Sequence, residues 1–344
     1  MEQIFKIAMD AMGGDYAPTE QVKAAVNAVN EDKHIMMMLT GDKERLEAEL
    51  AKYQYNKEQI QIIPTTEEIS CNESPVDAIR RKKDSSMVVA LRLVKNGEAD
   101  AFISSGSSGA VLVGGQVLVG KIKGIERAPL APLIPTTKGA SLLIDCGANV
   151  DAKAHHLLQF AKIGSIYMKS IVGIENPTVG IVNIGSEEAK GNALVKEAYP
   201  LLKECKEINF IGSIEANEIH TGKADVIVCE AFVGNVILKH TEGLAKTLIG
   251  EVKKGMLATL RSKIGALLVK PALKETLKQF DASEHGGAPL LGLKGLVVKT
   301  HGSATAVEIK NAIFQCVEFS KQQVNEKIKE QLFPPVKEES GDDK

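Results

Sequence analysis

Nine short runs rich in isoleucine, valine and leucine recur along this chain, and each closes on small or polar residues. They span 4–10, 35–40, 60–64, 101–104, 142–145, 179–184, 209–212, 225–229 and 296–299, with amphipathic stretches such as 19–29 and 77–94 between most of them. A strand that feeds a helix and then another strand returns parallel to the first. The alternation therefore predicts an α/β fold, a mainly parallel sheet covered by helices. Sheets of this kind collect ligands at the carboxyl ends of their strands. The residues just after each run are where chemistry is expected.

The rhythm continues without a flexible linker or an internal repeat. One α/β domain is expected over residues 1–333, with a helical insertion at about 244–280 that carries no strand signal. A disordered tail is expected at 334–344, where Pro-Pro gives way to charged residues. With 42 Lys+Arg against 44 Asp+Glu and no tryptophan, the chain has neither the basic excess nor the stacking residues of a nucleic-acid binder. The five cysteines, Cys71, Cys146, Cys205, Cys229 and Cys316, form no CxxC pair, so reduced thiols are expected and no metal site. No basic segment followed by a long apolar one opens the chain, and no apolar run reaches membrane-spanning length. A cytoplasmic protein is expected, with any membrane contact at the surface.

The strand-end loops are unusually rich in small and polar residues. The first run ends in Asp10-Ala11-Met12-Gly13-Gly14-Asp15, where paired glycines let a ligand approach the backbone, or simply form a tight turn. The fourth ends in Ser104-Ser105-Gly106-Ser107-Ser108-Gly109, a hydroxyl-rich helix start suited to an anion. It has neither the Gly-Lys-Ser/Thr of a nucleotide loop nor the GxGxxG of a dinucleotide fold. Asn149 follows the Asp145-Cys146-Gly147 turn. Asn183 precedes a loop that holds Glu188, Lys190 and Asn192, and a lysine there can hold an anion as a point charge. Glu230 and Asn235 follow the 225–229 run. His301 follows the last run and precedes Gly302-Ser303. No GxSxG elbow and no HExxH occurs, so no covalent serine intermediate or zinc chemistry is signalled.

Taken in order, IAMDAMGGDYAP at 7–18, SPVDAIRRKKDSSM at 74–87, SSGSSGA at 104–110, DCGAN at 145–149, NPTVGIVNIGSEEAKGN at 176–192, FVGNVILKHTEG at 232–243 and GGAPLLGLKGLVVKTHGSA at 286–304 closely resemble the acyl-acyl carrier protein:phosphate acyltransferase family of bacterial phospholipid synthesis. The resemblance runs from Ile7 to about Ile328. It implies the three-layer α/β/α fold of the isocitrate/isopropylmalate dehydrogenase type, shared with phosphate acetyl- and butyryltransferases. The 104–109 loop and Glu230-Ala231 depart from the usual family wording while keeping hydroxyls and a carboxylate.

The resemblance also implies transfer of a long acyl chain from acyl carrier protein to inorganic phosphate, with no cofactor. It implies a homodimer at the inner face of the cell membrane and a downstream glycerol-3-phosphate acyltransferase that takes the product. On that reading, Lys190, Asn235 and His301 are the expected catalytic residues. Asp10, Gly13, Gly14, Ser104, Ser105, Gly106, Ser107, Ser108, Asn149, Asn183, Glu188, Asn192 and Glu230 line the phosphate and substrate site. Arg80, Arg81, Lys82 and Lys83, expected to begin a helix, are candidates to meet the carrier protein. Residues 239–278 hold nine Lys/Arg and three Glu, a net of +6. Met256, Leu257, Leu260, Ile264, Leu267 and Leu268 fall on one side of the expected helix there, with a bend expected at Gly265 or Pro271. A basic amphipathic helix of this kind suits an anionic membrane surface. The competing expectations are a short-chain enzyme using acyl-coenzyme A, a dehydrogenase of the same fold, which lacks its nucleotide fingerprint here, and a non-catalytic membrane scaffold.

Overall fold

The computed structural model describes residues 3–278 and 286–334. All nine runs form strands: β1 (Phe5–Asp10), β2 (Ile35–Gly41), β3 (Ile60–Pro64), β4 (Ala101–Ser104), β6 (Gly139–Ile144), β7 (Thr178–Val182), β8 (Asn209–Ile214), β9 (Val226–Val228) and β11 (Leu296–Lys299). Two more, β5 (Leu133–Thr136) and β10 (Ala288–Leu290), are short and contain Pro135 and Pro289. Proline cannot donate to a ladder, so it hides a strand from sequence reading and confines it to a sheet edge. Both of these strands are indeed edges, and both pair antiparallel, β5 with β6 and β10 with β11.

The strands divide between two sheets, ordered β10-β11-β4-β1-β2-β3 and β5-β6-β9-β7-β8, parallel except at those two edges. Helices flank them in the expected three-layer α/β/α arrangement. Successive residues of β1 face opposite sides. Ile7 and Met9 join the core beneath the helices Thr19–Glu31 and Ala306–Lys321, while Ala8 joins the core beneath the helix Ser86–Lys95. A segment around Leu130 stitches the sheets together. Leu130 bridges Leu290 at the edge of the first sheet, and its amide donates to Asp145 Oδ1 at the end of β6, at 2.9 Å.

Strand register decides which side chains share the carboxyl edge of the first sheet. Across that edge, Lys299, Ser104, Asp10 and Thr40 are successive Cα partners. In parallel strands such partners project to the same face. The row therefore presents one lysine, two hydroxyls and one carboxylate side by side, over the helix Ser86–Lys95.

The expected helical insertion is a pair of helices, Ala231–Met256 and Leu260–Lys278. The first begins inside the core, with Ala231 and Gly234 buried, and becomes exposed as it runs outward. The chain breaks at 257–259, not at Gly265 or Pro271 as the sequence suggested. Thr259 and Ser262 cap the second helix reciprocally: Ser262 N donates to Thr259 Oγ1 at 3.1 Å, and Thr259 N donates to Ser262 Oγ at 2.9 Å. Residues 279–280 of the expected insertion and 335–344 of the expected tail lie outside the described residues. A second correction concerns the basic run. Pro75, following Ser74, opens a helix Pro75–Arg81, so Arg80 and Arg81 end a helix and do not begin one. Lys82 and Lys83 lie in the turn before the helix Ser86–Lys95. Cations at a carboxyl terminus suit the helix dipole.

Candidate active site at the strand ends

Asp10 is buried at the end of β1, and its carboxylate collects hydroxyls. Ser86 Oγ donates to Oδ1 at 2.6 Å and Ser104 Oγ donates to Oδ2 at 2.7 Å. Gly106 N in turn donates to Ser104 Oγ at 2.9 Å. Burial pushes the Asp10 carboxyl upward, opposed by these bonds. Gly13 has to be glycine here: a Cβ would sit 2.4 Å from Asp10 Oδ2 and 2.8 Å from the Gly106 amide. Gln21, buried, holds the Gly13 carbonyl at 2.6 Å. Gly14 has φ near +111° and packs against Ser105. The first and fourth strand-end loops thus pack as one body.

The hydroxyls are largely committed within it. Ser105 Oγ pairs with Thr300 Oγ1 at 2.7 Å, and Ser107 caps the short helix Ser108–Gly114. Ser108 is the exposed hydroxyl of the group. Thr300 N also donates to the Ser104 carbonyl, and Asp15 N to the Gly302 carbonyl at 2.8 Å, which ties the end of β11 to both loops. His301 is exposed beside them. Its Nδ1 accepts from Ser303 N at 3.2 Å, which leaves Nε2 as the N–H donor of the neutral ring.

A residue not singled out in the sequence analysis lies beside these loops. Lys299, the last residue of β11, is only 9% exposed. Its Nζ donates to the Thr300 carbonyl, and among the described residues no carboxylate lies within 4.0 Å of it. Desolvation lowers its pKa to about 8. Cys71, Lys239, Asp10 and Asp15 are within electrostatic reach of it. Asp10 and Asp15 belong to the first sheet's loops, whereas Lys239 belongs to the helix that follows β9 of the second. The ammonium of Lys239 thus adds a like charge in the neighbourhood of Lys299.

The second sheet's candidates fall into two groups. Asn149 is buried, and its side chain bonds Asp145 Oδ2 and the Ala128 carbonyl, so it braces the turn. Asn235 is exposed on the first turns of the long helix, beside Gly147, and Glu230 caps that helix by accepting from the Phe232 and Val233 amides. Asn183, Lys190 and Asn192 share the loop after β7. Asn183 Nδ2 donates to the Lys190 carbonyl, Asn192 caps the helix Ala193–Glu204, and exposed Lys190 pairs with Glu187 at 2.7 Å. That partner holds the Lys190 ammonium above its ordinary range. Glu188 pairs with Lys203, away from Lys190. No hydrogen bond or ion pair among the described residues joins this loop to the Lys299 cluster.

Glu126, His155 and His156 bring three metal-type ligand atoms together beside a surface hollow of about 550 Å³. Each imidazole Nε2 lies 3.1 Å from Glu126 Oε2. However, His156 Nδ1 accepts from Lys153 N at 2.9 Å, so its proton sits on Nε2 and points at the carboxylate. Burial holds His156 in that neutral form. The cluster reads as a hydrogen-bonded helix cap.

Residues 5–327 match the family described as "Fatty acid synthesis protein". A phosphate acyltransferase of Alkaliphilus oremlandii is 54% identical over 326 residues, which cover 94% of this chain and 96% of the relative. One from Clostridium acetobutylicum is 48% identical, covering 95% and 98%. This chain belongs to the phosphate acyltransferase family. Among solved structures, a phosphotransacetylase from Streptococcus pyogenes has a TM-score of 0.60 at 17% identity, covering 94% of each chain. One from Staphylococcus aureus has a TM-score of 0.58 at 15% identity, covering 93% and 94%. The fold is therefore one shared between this family and phosphotransacetylases, as the resemblance implied. Among the described residues, no helix is long and apolar enough to cross a membrane.

Proposed function

We propose that the protein transfers a long-chain fatty acyl group from acyl carrier protein to inorganic phosphate, releasing acyl-phosphate for glycerophospholipid synthesis. The observation that carries this reading is the family match over residues 5–327, with 94% of the chain covered by the phosphate acyltransferase of Alkaliphilus oremlandii. A phosphate oxygen attacks the thioester carbonyl carbon; an O–C bond forms, the C–S bond breaks, and the electron pair leaves on the carrier's sulfur. Nothing is oxidised or reduced. Holding phosphate against the carbonyl makes a bimolecular step effectively unimolecular, and fixed donors stabilise the developing oxyanion.

Lys190 and the amides of the 104–109 loop orient phosphate, and Asn235 offers its amide to the carbonyl. His301, an Nε2–H donor when neutral, assists the leaving thiolate. The carrier protein meets Arg80, Arg81 and Lys83, which are exposed. Lys82 is partly committed, because its Nζ holds Glu73 at 2.8 Å and the Glu68 carbonyl at 2.7 Å.

The helical pair supports the long-chain, membrane-adjacent form of the reaction. Leu260, Leu267 and Leu268 are 77%, 72% and 76% exposed, and Leu257 lies in the turn at the tip. Lys253, Lys254, Arg261 and Lys263 surround that turn. Apolar side chains ringed by lysine and arginine match an anionic lipid surface. Leu244, Leu248 and Ile249 on the first helix offer an apolar face for a second copy of the chain. The reading is thus of a peripheral homodimer at the inner face of the membrane, handing acyl-phosphate to a glycerol-3-phosphate acyltransferase.

The test is a mass-spectrometric assay of the purified protein with palmitoyl-acyl carrier protein, with and without phosphate. Phosphate-dependent acyl-phosphate and free carrier are expected. Turnover of short acyl-coenzyme A alone would place it with the phosphotransacetylases, and binding to vesicles without either product would make it a scaffold.

A further inference from the structure

We propose that Lys299 is a catalytic residue that holds the phosphate nucleophile, its ammonium supplying the positive charge at the carboxyl edge of the first sheet. The inference rests on the phosphate acyltransfer reading and adds to Lys190 a second, buried cation for phosphate. Three observations converge on it.

The first is burial without a counterion. A lysine is almost never this buried unless it is paired, yet Lys299 bonds only the Thr300 carbonyl, and among the described residues no carboxylate comes within 4.0 Å. Taking an ammonium out of water costs several kcal/mol when nothing compensates it. An anionic substrate supplies that compensation.

The second is register. Lys299 aligns with Ser104, and Ser104 with Asp10, on one face of the first sheet. Neighbouring strands are about 4.8 Å apart, so Lys299 stands roughly 10 Å from Asp10 across two strands. Ser104 lies between them with its hydroxyl already given to Asp10. The carboxylate is therefore occupied and the ammonium is left over. The third observation is position: Lys299 lies at a strand's carboxyl end, where α/β sheets take their ligands, next to Thr300, which is bonded to Ser105 of the 104–109 loop. Lys190, by contrast, is exposed and already paired with Glu187.

The charged and titratable groups facing Lys299 are Asp10 and Asp15 after β1, Cys71 from the 65–74 stretch and Lys239 from the long helix, with His301 two residues along its own strand end. Burial opposes the ammonium most and Lys239 adds to that, while Cys71 and the two aspartates act the other way, which brings its titration to about pH 8. Phosphate capture by the free enzyme should therefore weaken above that pH.

The experiment compares wild type, Lys299→Met and Lys299→Arg. Acyl-phosphate formation from palmitoyl-acyl carrier protein is followed against phosphate concentration between pH 7 and 9.5, and calorimetry measures binding of inorganic phosphate alone. Lys299→Met should raise the phosphate KM by about tenfold to a hundredfold, the worth of one charge-assisted hydrogen bond, and leave the carrier-substrate KM unchanged. Lys299→Arg should recover part of the loss. Above pH 8 the wild-type kcat/KM for phosphate should fall about tenfold per unit relative to Lys299→Arg, whose guanidinium stays charged; the titration of phosphate itself is common to both. If Lys299→Met does not fold, the Arg variant decides, and an identical alkaline limb in wild type and Lys299→Arg overturns the assignment. A normal phosphate KM in a folded Lys299→Met also overturns it while leaving acyl transfer intact. Wild type that neither binds phosphate nor makes acyl-phosphate overturns the underlying reading as well.

Discussion

Gly234 offers a severe test of how the long helix is seated. It lies in the first turn of the helix Ala231–Met256, where a Cβ would fall 1.9 Å from the Asp145 carbonyl oxygen, 2.9 Å from its carbon and 3.0 Å from Cys229 Sγ. Carbon and oxygen normally approach no closer than about 3.3 Å, so the helix must retreat by roughly 1.4 Å. Backbone cannot swing aside as a flexible side chain does. Moreover, Asp145 is anchored, accepting from Leu130 N, Ala148 N, Asn149 N and Asn149 Nδ2. Overpacking alone costs about 1–3 kcal/mol, and loosening even two of those bonds adds about 1 kcal/mol each. Gly234→Ala should therefore lose about 3–5 kcal/mol, visible as a fall in Tm of roughly 4–7 °C for a chain of this length. Gly243→Ala is the control: same helix, same substitution, nothing within 4 Å of the new methyl. It should gain about 0.5–1 kcal/mol from helix propensity. Calorimetry of both variants checks the reasoning, and a Gly234→Ala protein that melts with Gly243→Ala would refute it.

Lys190→Ala should keep the wild-type melting temperature, since its pair with Glu187 is exposed, yet lose most turnover in the acyl-phosphate assay; near-normal turnover removes Lys190 from the mechanism. Replacing Leu257 and Leu260 by glutamate should release the protein from anionic vesicles in a flotation assay, and undiminished flotation rejects the tip as the membrane contact. Arg80→Glu with Arg81→Glu should raise the carrier-substrate KM several-fold and leave the phosphate KM unchanged. Lys299 has a lowered pKa in the folded protein, so between about pH 8 and 10.5 the unfolded chain binds more protons and folding stability from this group rises with pH. Denaturant titrations should show up to about 3 kcal/mol of that rise in wild type beyond any in Lys299→Met, and parallel profiles would contradict the burial of a charged lysine.

The parallel frame was legible because β-branched runs and amphipathic spacers follow from sheet and helix periodicity. β5 and β10 were not, since Pro135 and Pro289 imitate loop punctuation until a neighbouring strand is present. Ser74-Pro75 was a readable helix start that the charge of Arg80 and Arg81 obscured, and Thr259 with Ser262 was a readable cap overshadowed by Pro271. That proline lies on an exposed helix, where water can take up the carbonyl it leaves unpaired. Within the candidate site, the sequence marked the strand-end loops but not how their atoms are spent: the Ser104 hydroxyl goes to Asp10, the Ser105 hydroxyl to Thr300 and the Asn149 amide to Asp145. Lys299 gave one unread signal, a lysine ending an otherwise apolar strand. Its importance depends on register with Ser104, a long-range property that no local pattern contains.

The helix Ala231–Met256 is also a lever. Its 26 residues, at about 1.5 Å each, give a rod roughly 39 Å long. Gly234, wedged against Asp145, is the natural fulcrum. Lys239 lies five residues beyond it and Met256 twenty-two, so the arms measure about 7.5 and 33 Å. A sideways push of about 2 Å at the far end would reach Lys239 as roughly 0.5 Å, enough to alter a charge's field at Lys299 without unseating the rod. Movements of the tip thus arrive at the strand ends reduced about fourfold, a gearing set by where one glycine sits along one helix.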